Sequence, residues 1–161
     1  MKYREINNVQ IAVNPNSANE LYFEEDFLLK NSINSKEFTP SEICEIIAGK
    51  QYIPLILTWE LLDKCNFSCP FCYIVGHSNH KIIRFENTKK YIDEVIKLGL
   101  LYCQLTGGEA LLHKDFIEIY KYLKQNGVLV EIYSNGHLIT DKHIELFEEF
   151  PPYKMEISIY G

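Results

Sequence analysis

Asp63-Lys64-Cys65-Asn66-Phe67-Ser68-Cys69-Pro70-Phe71-Cys72-Tyr73 carries three thiols with three and then two residues between them, directly after an apolar stretch that reads as a strand. Thiols this close together suit one shared metal centre. A disulfide framework is a poor reading, because three is odd, no secretory signal precedes the run, and close cysteines strain separate cross-links. Three thiolates also leave a coordination position open. Structural zinc wants four closed ligands, whereas an iron–sulfur cluster on three cysteines keeps one iron free for a ligand that is not protein.

Working outward from this run, residues 54–161 alternate regularly. Strands are expected over 55–61, 100–106, 128–133 and 155–160, and helices over 86–98, 113–126 and 140–150. The helices carry apolar positions at helical spacing, such as Tyr91, Ile92, Val95 and Ile96, or Phe116, Ile117, Tyr120 and Leu123. Gly99 and Gly127 stand where helix ends favour a left-handed residue. Alternation of this kind predicts an α/β fold with parallel strands and right-handed crossovers, and periodicity leaves open sheet and barrel equally available.

Strands covered by helices on both sides are apolar on both faces, yet here one parity of each strand is polar toward its C-terminal end. The set is Thr58 and Glu60; Gln104 and Thr106; Glu131, Tyr133 and Asn135; Glu156, Ser158 and Tyr160. A curved half-barrel around a wet cavity fits that pattern, and an exposed sheet face is the alternative. Active sites on such sheets form from the loops at the C-terminal strand ends. Thr106-Gly107-Gly108-Glu109 is one such end, with two glycines that allow close backbone approach and a carboxylate able to accept from an ammonium. Ser134-Asn135-Gly136 and Ser158-Ile159-Tyr160-Gly161 are two more, and turn chemistry alone is the other reading of both.

The chain resembles the radical S-adenosylmethionine (radical SAM) superfamily, whose signature is C-x3-C-x2-C with an aromatic residue just before the last cysteine, the place of Phe71. Among its members, the peptide and protein maturases are the nearest type. The resemblance covers about two thirds of the chain. It implies a 4Fe-4S cluster on Cys65, Cys69 and Cys72, with the free iron chelated by the amino and carboxylate groups of S-adenosylmethionine. It further implies that Gly107, Gly108 and Glu109 hold the cosubstrate's amino group, and that Ser134, Asn135 and Ser158 serve its ribose or carboxylate. The chemistry implied is reductive cleavage to a 5′-deoxyadenosyl radical that abstracts hydrogen from substrate, in peptide or protein maturation. Flavodoxin or ferredoxin is the implied reductant, and oxygen sensitivity follows from the exposed iron. Ala110 replaces the proline common after Gly-Gly-Glu, and Tyr160 replaces an aspartate, so the subfamily stays open. A non-catalytic zinc module, with His77 or His80 completing the three-cysteine site, is the alternative.

The fold so implied is a partial parallel (β/α) barrel of about four strands over residues 51–161, preceded over residues 1–50 by a small hairpin-plus-helix appendage. The hairpin joins strands over 9–13 and 20–23 through Asn14-Pro15-Asn16-Ser17-Ala18-Asn19, and a helix follows to Ala48, with Thr39 as N-cap, Pro40 in its first turn and Gly49 beyond it. It is expected to pack on the barrel; a reduced peptide-binding module is the other reading. Superfamily barrels usually have six βα units, and this sequence stops after the fourth strand, so a C-terminally truncated product is expected.

With 161 residues and 47% hydrophobic content the chain can bury a core as a single domain. No apolar run approaches membrane-spanning length, and residues 1–5 lack a signal-peptide apolar region, so a cytoplasmic protein is expected. A net charge of −6 argues against nucleic acid, and Lys89-Lys90 reads as a solvated helix face. Cys44 and Cys103 sit in apolar surroundings and read as buried hydrophobes.

Overall fold

The computed structural model describes residues 1–6, 9–18, 21–23, 40–48, 55–74 and 82–159. Four parallel strands, β4 (Ile56–Glu60), β5 (Tyr102–Thr106), β6 (Leu129–Ser134) and β7 (Lys154–Ile157), lie side by side in sequence order. Helices α2 (Phe85–Leu98), α3 (Phe116–Gln125) and α4 (Asp141–Glu149) form the crossovers. The expected α/β architecture with a parallel sheet is therefore present, as four strands of a partial barrel.

Register explains how one sheet serves two environments. Leu57, Trp59, Cys103, Leu105, Val130, Ile132 and Met155 form one face and pack with Phe116, Ile119, Tyr120 and Leu123 of α3, Ile92 of α2 and Leu146 of α4. The other face aligns Thr58, Gln104, Glu131 and Lys154 across all four strands. These polar side chains satisfy one another: Thr58 Oγ1 donates to Gln104 Oε1 (2.7 Å), and Gln104 Nε2 donates to Glu131 Oε2 (2.9 Å). Glu131 also accepts from the Tyr102 hydroxyl and faces Lys154 Nζ at 3.5 Å. Within this network Glu131 and Tyr102 can lie buried because they find partners, while Thr58 and Lys154 at its ends stay exposed. Burial and the neighbouring Glu131 carboxylate both raise the Tyr102 phenol above its ordinary range.

The helix ends follow the glycines. Gly99 (φ 120°) closes α2 and Gly127 (φ 72°) closes α3, and their amides donate back to Ile96 O (3.1 Å) and Lys124 O (2.9 Å). One expected helix is shorter than its periodicity suggested. Residues 113–126 do not form a single helix: a 3-10 turn covers Ala110–Leu112, His113 is extended, and α3 begins at Phe116. The cause is side-chain bonding that competes with the helix. His113 Nε2 lies 3.1 Å from Ile83 O, and Asp115 Oδ2 accepts from Phe85 N (2.9 Å) and Arg84 Nε (2.7 Å), which ties this turn to the start of α2.

The appendage differs from the expected two-stranded hairpin. It is a three-stranded antiparallel sheet, β1 (Lys2–Ile6), β2 (Val9–Val13) and β3 (Leu21–Phe23), with α1 (Pro40–Ala48) after it. Three of five β1 residues are charged, which hides its strand character, and pairing with β2 along its length supplies the missing specification. Glu20, Thr39 and Gly49 lie outside the described residues.

Ile6, Ile11, Val13, Cys44 and Ile47 form a second core with Leu55, Leu101, Tyr102 and Leu129, at the N-terminal ends of the barrel strands. Arg4 reinforces it: its guanidinium donates to Ile96 O (2.8 Å), Leu100 O (2.6 Å) and Gly127 O (3.2 Å), at the carbonyl-rich C-termini of α2 and α3. Buried Lys124 Nζ donates to Ser17 O (2.8 Å), and Asn16 Nδ2 to Glu149 O (2.8 Å). The described part of the appendage thus packs against the end of the sheet opposite the C-terminal strand ends. Cys44 and Cys103 are buried as expected, and desolvation pushes the Cys44 thiol up to about 11. Among the described residues no helix is long and apolar enough to cross a membrane.

Candidate functional site

Beyond the C-terminal ends of β4 and β5 the two chains continue side by side. Leu61 N donates to Thr106 O (3.0 Å), Gly108 N to Leu62 O (2.8 Å) and Glu109 N to Lys64 O (3.0 Å). The contact leaves no room for a side chain: a Cβ on Gly107 would fall 2.3 Å from Leu62 O, and one on Gly108 would fall 2.3 Å from Lys64 O. Gly107 also has φ +144°, a conformation L residues rarely adopt. Both glycines therefore have a structural task beyond any ligand contact, which is to seat the β5 loop on the segment leading into Cys65.

Glu109 is buried at 1% exposure. Its Oε1 accepts from Leu111 N (3.0 Å) and Ser134 Oγ (2.8 Å), and its Oε2 from Asn135 N (2.8 Å). A buried carboxyl group with this set of donors is hydrogen-bonded inside the protein, and it fastens the end of β6 to the end of β5. Ser134 Oγ in turn accepts from Gly136 N (2.9 Å), and Ser134 O accepts from Ser158 N (2.9 Å), which brings in the segment after β7.

The three cysteines are half-buried and free of disulfides. Cys72 N donates to Cys69 O (3.1 Å) in a tight turn. Cys65 Sγ receives Phe67 N at 3.4 Å and Asn135 Nδ2 at 3.8 Å. Asn135 Nδ2 also donates to Asn66 Oδ1 (2.8 Å).

A cavity of about 300 Å³ opens here, lined by Cys65, Cys69, Cys72 and Phe71 of the cysteine loop and by Thr106, Gly107, Gly108, Tyr133, Ser134, Asn135 and Ser158 of the strand ends. Of the ten residues that the family resemblance assigns to the cluster or the cosubstrate, or marks as its signature aromatic, all but one line this space. The exception is Glu109, which stands behind the wall and supports it. Phe67 and Tyr73 also line the cavity, and the Phe67 ring lies 5.4 Å from that of His137. Sequence reasoning missed Asn66 and Phe67 as site residues, although their place inside the cysteine spacing was a usable signal. His77, His80, Tyr160 and Gly161 lie outside the described residues.

The donor set fits an iron–sulfur cluster: three soft cysteine sulfurs in the lining of one cavity, N–H donors already directed at one of them, and glycine backbone in the same lining. Among the described residues no three His, Cys, Asp or Glu side chains converge on a single-ion position.

A family model described as the Radical SAM superfamily matches residues 59–160. Among curated proteins, the chain is 32% identical over 108 residues to the antilisterial bacteriocin subtilosin biosynthesis protein AlbA of Bacillus subtilis, covering 66% of this chain and 23% of that one. It is 31% identical over 112 residues to the AdoMet-dependent heme synthase of Methanosarcina barkeri, covering 67% and 32%. It is 33% identical over 88 residues to the mycofactocin maturase MftC of Mycolicibacterium smegmatis, covering 54% and 22%. The chain thus spans about a quarter to a third of these relatives. Among solved structures, Streptococcus suis SuiB bound to S-adenosylmethionine superposes with TM-score 0.59 at 15% identity, over 95% of this chain and 44% of that one. SuiB bound to its precursor peptide SuiA gives TM-score 0.58 at 16% identity, over 95% and 45%. At that identity the likeness shows the fold.

Proposed function

The chain belongs to the radical S-adenosylmethionine superfamily, and from that premise we propose that it, or the larger protein it forms part of, is an iron–sulfur enzyme acting on a peptide or protein substrate. Cys65, Cys69 and Cys72 hold a 4Fe-4S cluster. Gly107, Gly108, Ser134, Asn135 and Ser158 bind S-adenosylmethionine in the same cavity, which Phe71 also lines. Together, cluster and cosubstrate supply a 5′-deoxyadenosyl radical, formed with one electron from a flavodoxin or ferredoxin, that takes hydrogen from the substrate. The chain's own contribution is orientation and exclusion of water.

The observation that carries this reading is the meeting of all three thiols with the glycine and Ser134-Asn135 segments on one cavity. Glu109 has a supporting role in it: its carboxylate is occupied by Leu111, Ser134 and Asn135, so it presents the cosubstrate's binding wall from behind. The peptide assignment draws on what several relatives are: a bacteriocin biosynthesis protein, a sporulation killing factor maturation protein and a mycofactocin maturase. A heme synthase also matches, so the substrate class rests on less than the cofactor assignment does. A cytoplasmic setting, where thiols stay reduced, completes the proposal.

Anaerobic reconstitution tests it. The chain is expected to turn brown, to hold about four irons per molecule, and to cleave S-adenosylmethionine on reduction. Replacement of Cys65, Cys69 and Cys72 by serine is expected to abolish all three. A colourless protein that takes up one zinc and ignores iron supports the zinc-module alternative and overturns the proposal.

A further inference from the structure

We propose that Asn135 is a positioning residue for the cluster thiolate, and that its side-chain amide, directed at Cys65 Sγ, raises the reduction potential of the cluster. This rests on the cluster assignment above and goes beyond the cosubstrate contact expected of the same segment.

The argument begins with how firmly this amide is oriented. At ordinary precision an asparagine's oxygen and nitrogen are distinguished by their partners. Here His137 N donates to Asn135 Oδ1 at 3.0 Å, which fixes the oxygen end. The Nδ2 end must then face the cysteine loop. One N–H donates to Asn66 Oδ1 at 2.8 Å, and Cys65 Sγ lies 3.8 Å from the same nitrogen. The backbone is held as well, since Asn135 N donates to buried Glu109 Oε2 at 2.8 Å. Three independent anchors therefore aim the amide, and Phe67 N adds a second donor to the same sulfur at 3.4 Å.

Electrostatics then gives the direction. One-electron reduction adds negative charge to the cluster and part of it reaches the ligating sulfurs, so an N–H dipole pointing at sulfur stabilises the reduced form more than the oxidised one. Cluster potentials respond to hydrogen bonds of this kind. The electron itself comes from the external one-electron donor, and no bond in the protein forms or breaks. Asn135 thereby eases the step on which radical formation depends. Asn66 acts through it, by steering the second N–H.

The test is a redox titration of the reconstituted cluster, followed by electron paramagnetic resonance with no S-adenosylmethionine present. At the ambient potential that half-reduces the parent, Asn135→Leu is expected to lower the reduced-to-oxidised ratio about fivefold to tenfold; for a one-electron couple tenfold corresponds to about 59 mV. Asn135→Asp, which replaces the donor with an anion, is expected to lower it further. In D2O the reduced parent is expected to show an exchangeable-deuteron coupling that Asn135→Leu loses. If Asn135→Leu takes up little iron, Asn135→Gln carries the test, because it keeps the amide but displaces its nitrogen from Cys65 Sγ, and at least a twofold fall is expected. An unchanged ratio and an unchanged deuteron coupling at normal iron content overturn the inference alone. The same is true if only S-adenosylmethionine affinity changes. A parent chain that assembles no cluster overturns the proposed function and this inference with it.

Discussion

Gly108→Ala isolates the contact that joins the two central loops of the site. The backbone at Gly108 is not left-handed, so the effect of the new methyl is steric. Its Cβ would fall 2.3 Å from Lys64 O, 2.4 Å from Lys64 C and 2.9 Å from Cys65 N, all backbone atoms that cannot rotate aside. To reach ordinary contact near 3.4 Å the loops must part by about 1 Å, which stretches Gly108 N to Leu62 O and Glu109 N to Lys64 O beyond hydrogen-bonding range. Overpacking and the weakening of two hydrogen bonds together cost about 2–5 kcal/mol. With a urea dependence of about 2 kcal/mol per molar, the unfolding midpoint should fall by about 1–2.5 M. Trp59, the chain's one tryptophan, lies on β4 beside the displaced segment and provides the fluorescence signal. Gly136→Ala is the control: its Cβ would meet the rotatable Ile157 side chain at 3.2 Å, leaving mainly the strain of φ +75°, about 1–2 kcal/mol. A Gly108→Ala midpoint within about 0.3 M of the parent would refute the claim that these glycines exist to let the loops meet.

Two further predictions concern charge. Burial alone would raise the Asp115 carboxyl, but bonds from Phe85 N and Arg84 outweigh it and hold it below its ordinary value. The stabilisation is present above the unfolded carboxyl's range and is lost as pH falls through the lowered native value; Asp115→Asn should cost about 1–3 kcal/mol at pH 7 and flatten the acid limb of a denaturation profile. Lys124 is the opposite case, because burial lowers its ammonium to about 8 from an ordinary 10.5. Below pH 8 the cost of holding it charged is fully present, and it is relieved as pH rises from about 8 to 10.5, where the unfolded chain binds more protons. Relative to the parent, Lys124→Met should therefore be most stabilised near pH 7 and lose that advantage by pH 10, as read from urea midpoints at each pH.

What was legible in the sequence was what short-range chemistry writes there. The β-α alternation, the helix-ending glycines, the cysteine spacing and the polar parity of the strands each depend on residues a few positions apart, and each appears in the structure. Reading failed where a distant partner decides the outcome. Strand β1 is too charged to announce itself and is specified by β2 and by the helix ends that receive Arg4. The helix expected from residue 113 starts late because His113 and Asp115 are committed to residues 83–85. For Glu109 the residue type was legible, and the donors that its carboxylate meets, 25 and 26 residues onward, were not.

The Glu109 case also bears on how the site is built. Lys64 is joined to Glu109, Glu109 to Ser134 and Asn135, Ser134 to Ser158, and Asn135 back to Asn66 beside Cys65, so bonds link the ends of all four strands and return to the first. Among the described residues no buried side-chain nitrogen or oxygen is without a partner. A wall already satisfied in this way has little to rearrange when a ligand arrives, so binding does not have to pay for ordering the loops, and cavity polar groups keep their aim. The same linkage means that a change at one strand end spreads to the others: loosening Gly108 shifts Glu109, and Glu109 holds the backbone of the residue aimed at Cys65. Gly108→Ala should accordingly lower the cluster's reduced fraction in the same direction as Asn135→Leu, though it touches neither the sulfur nor the amide.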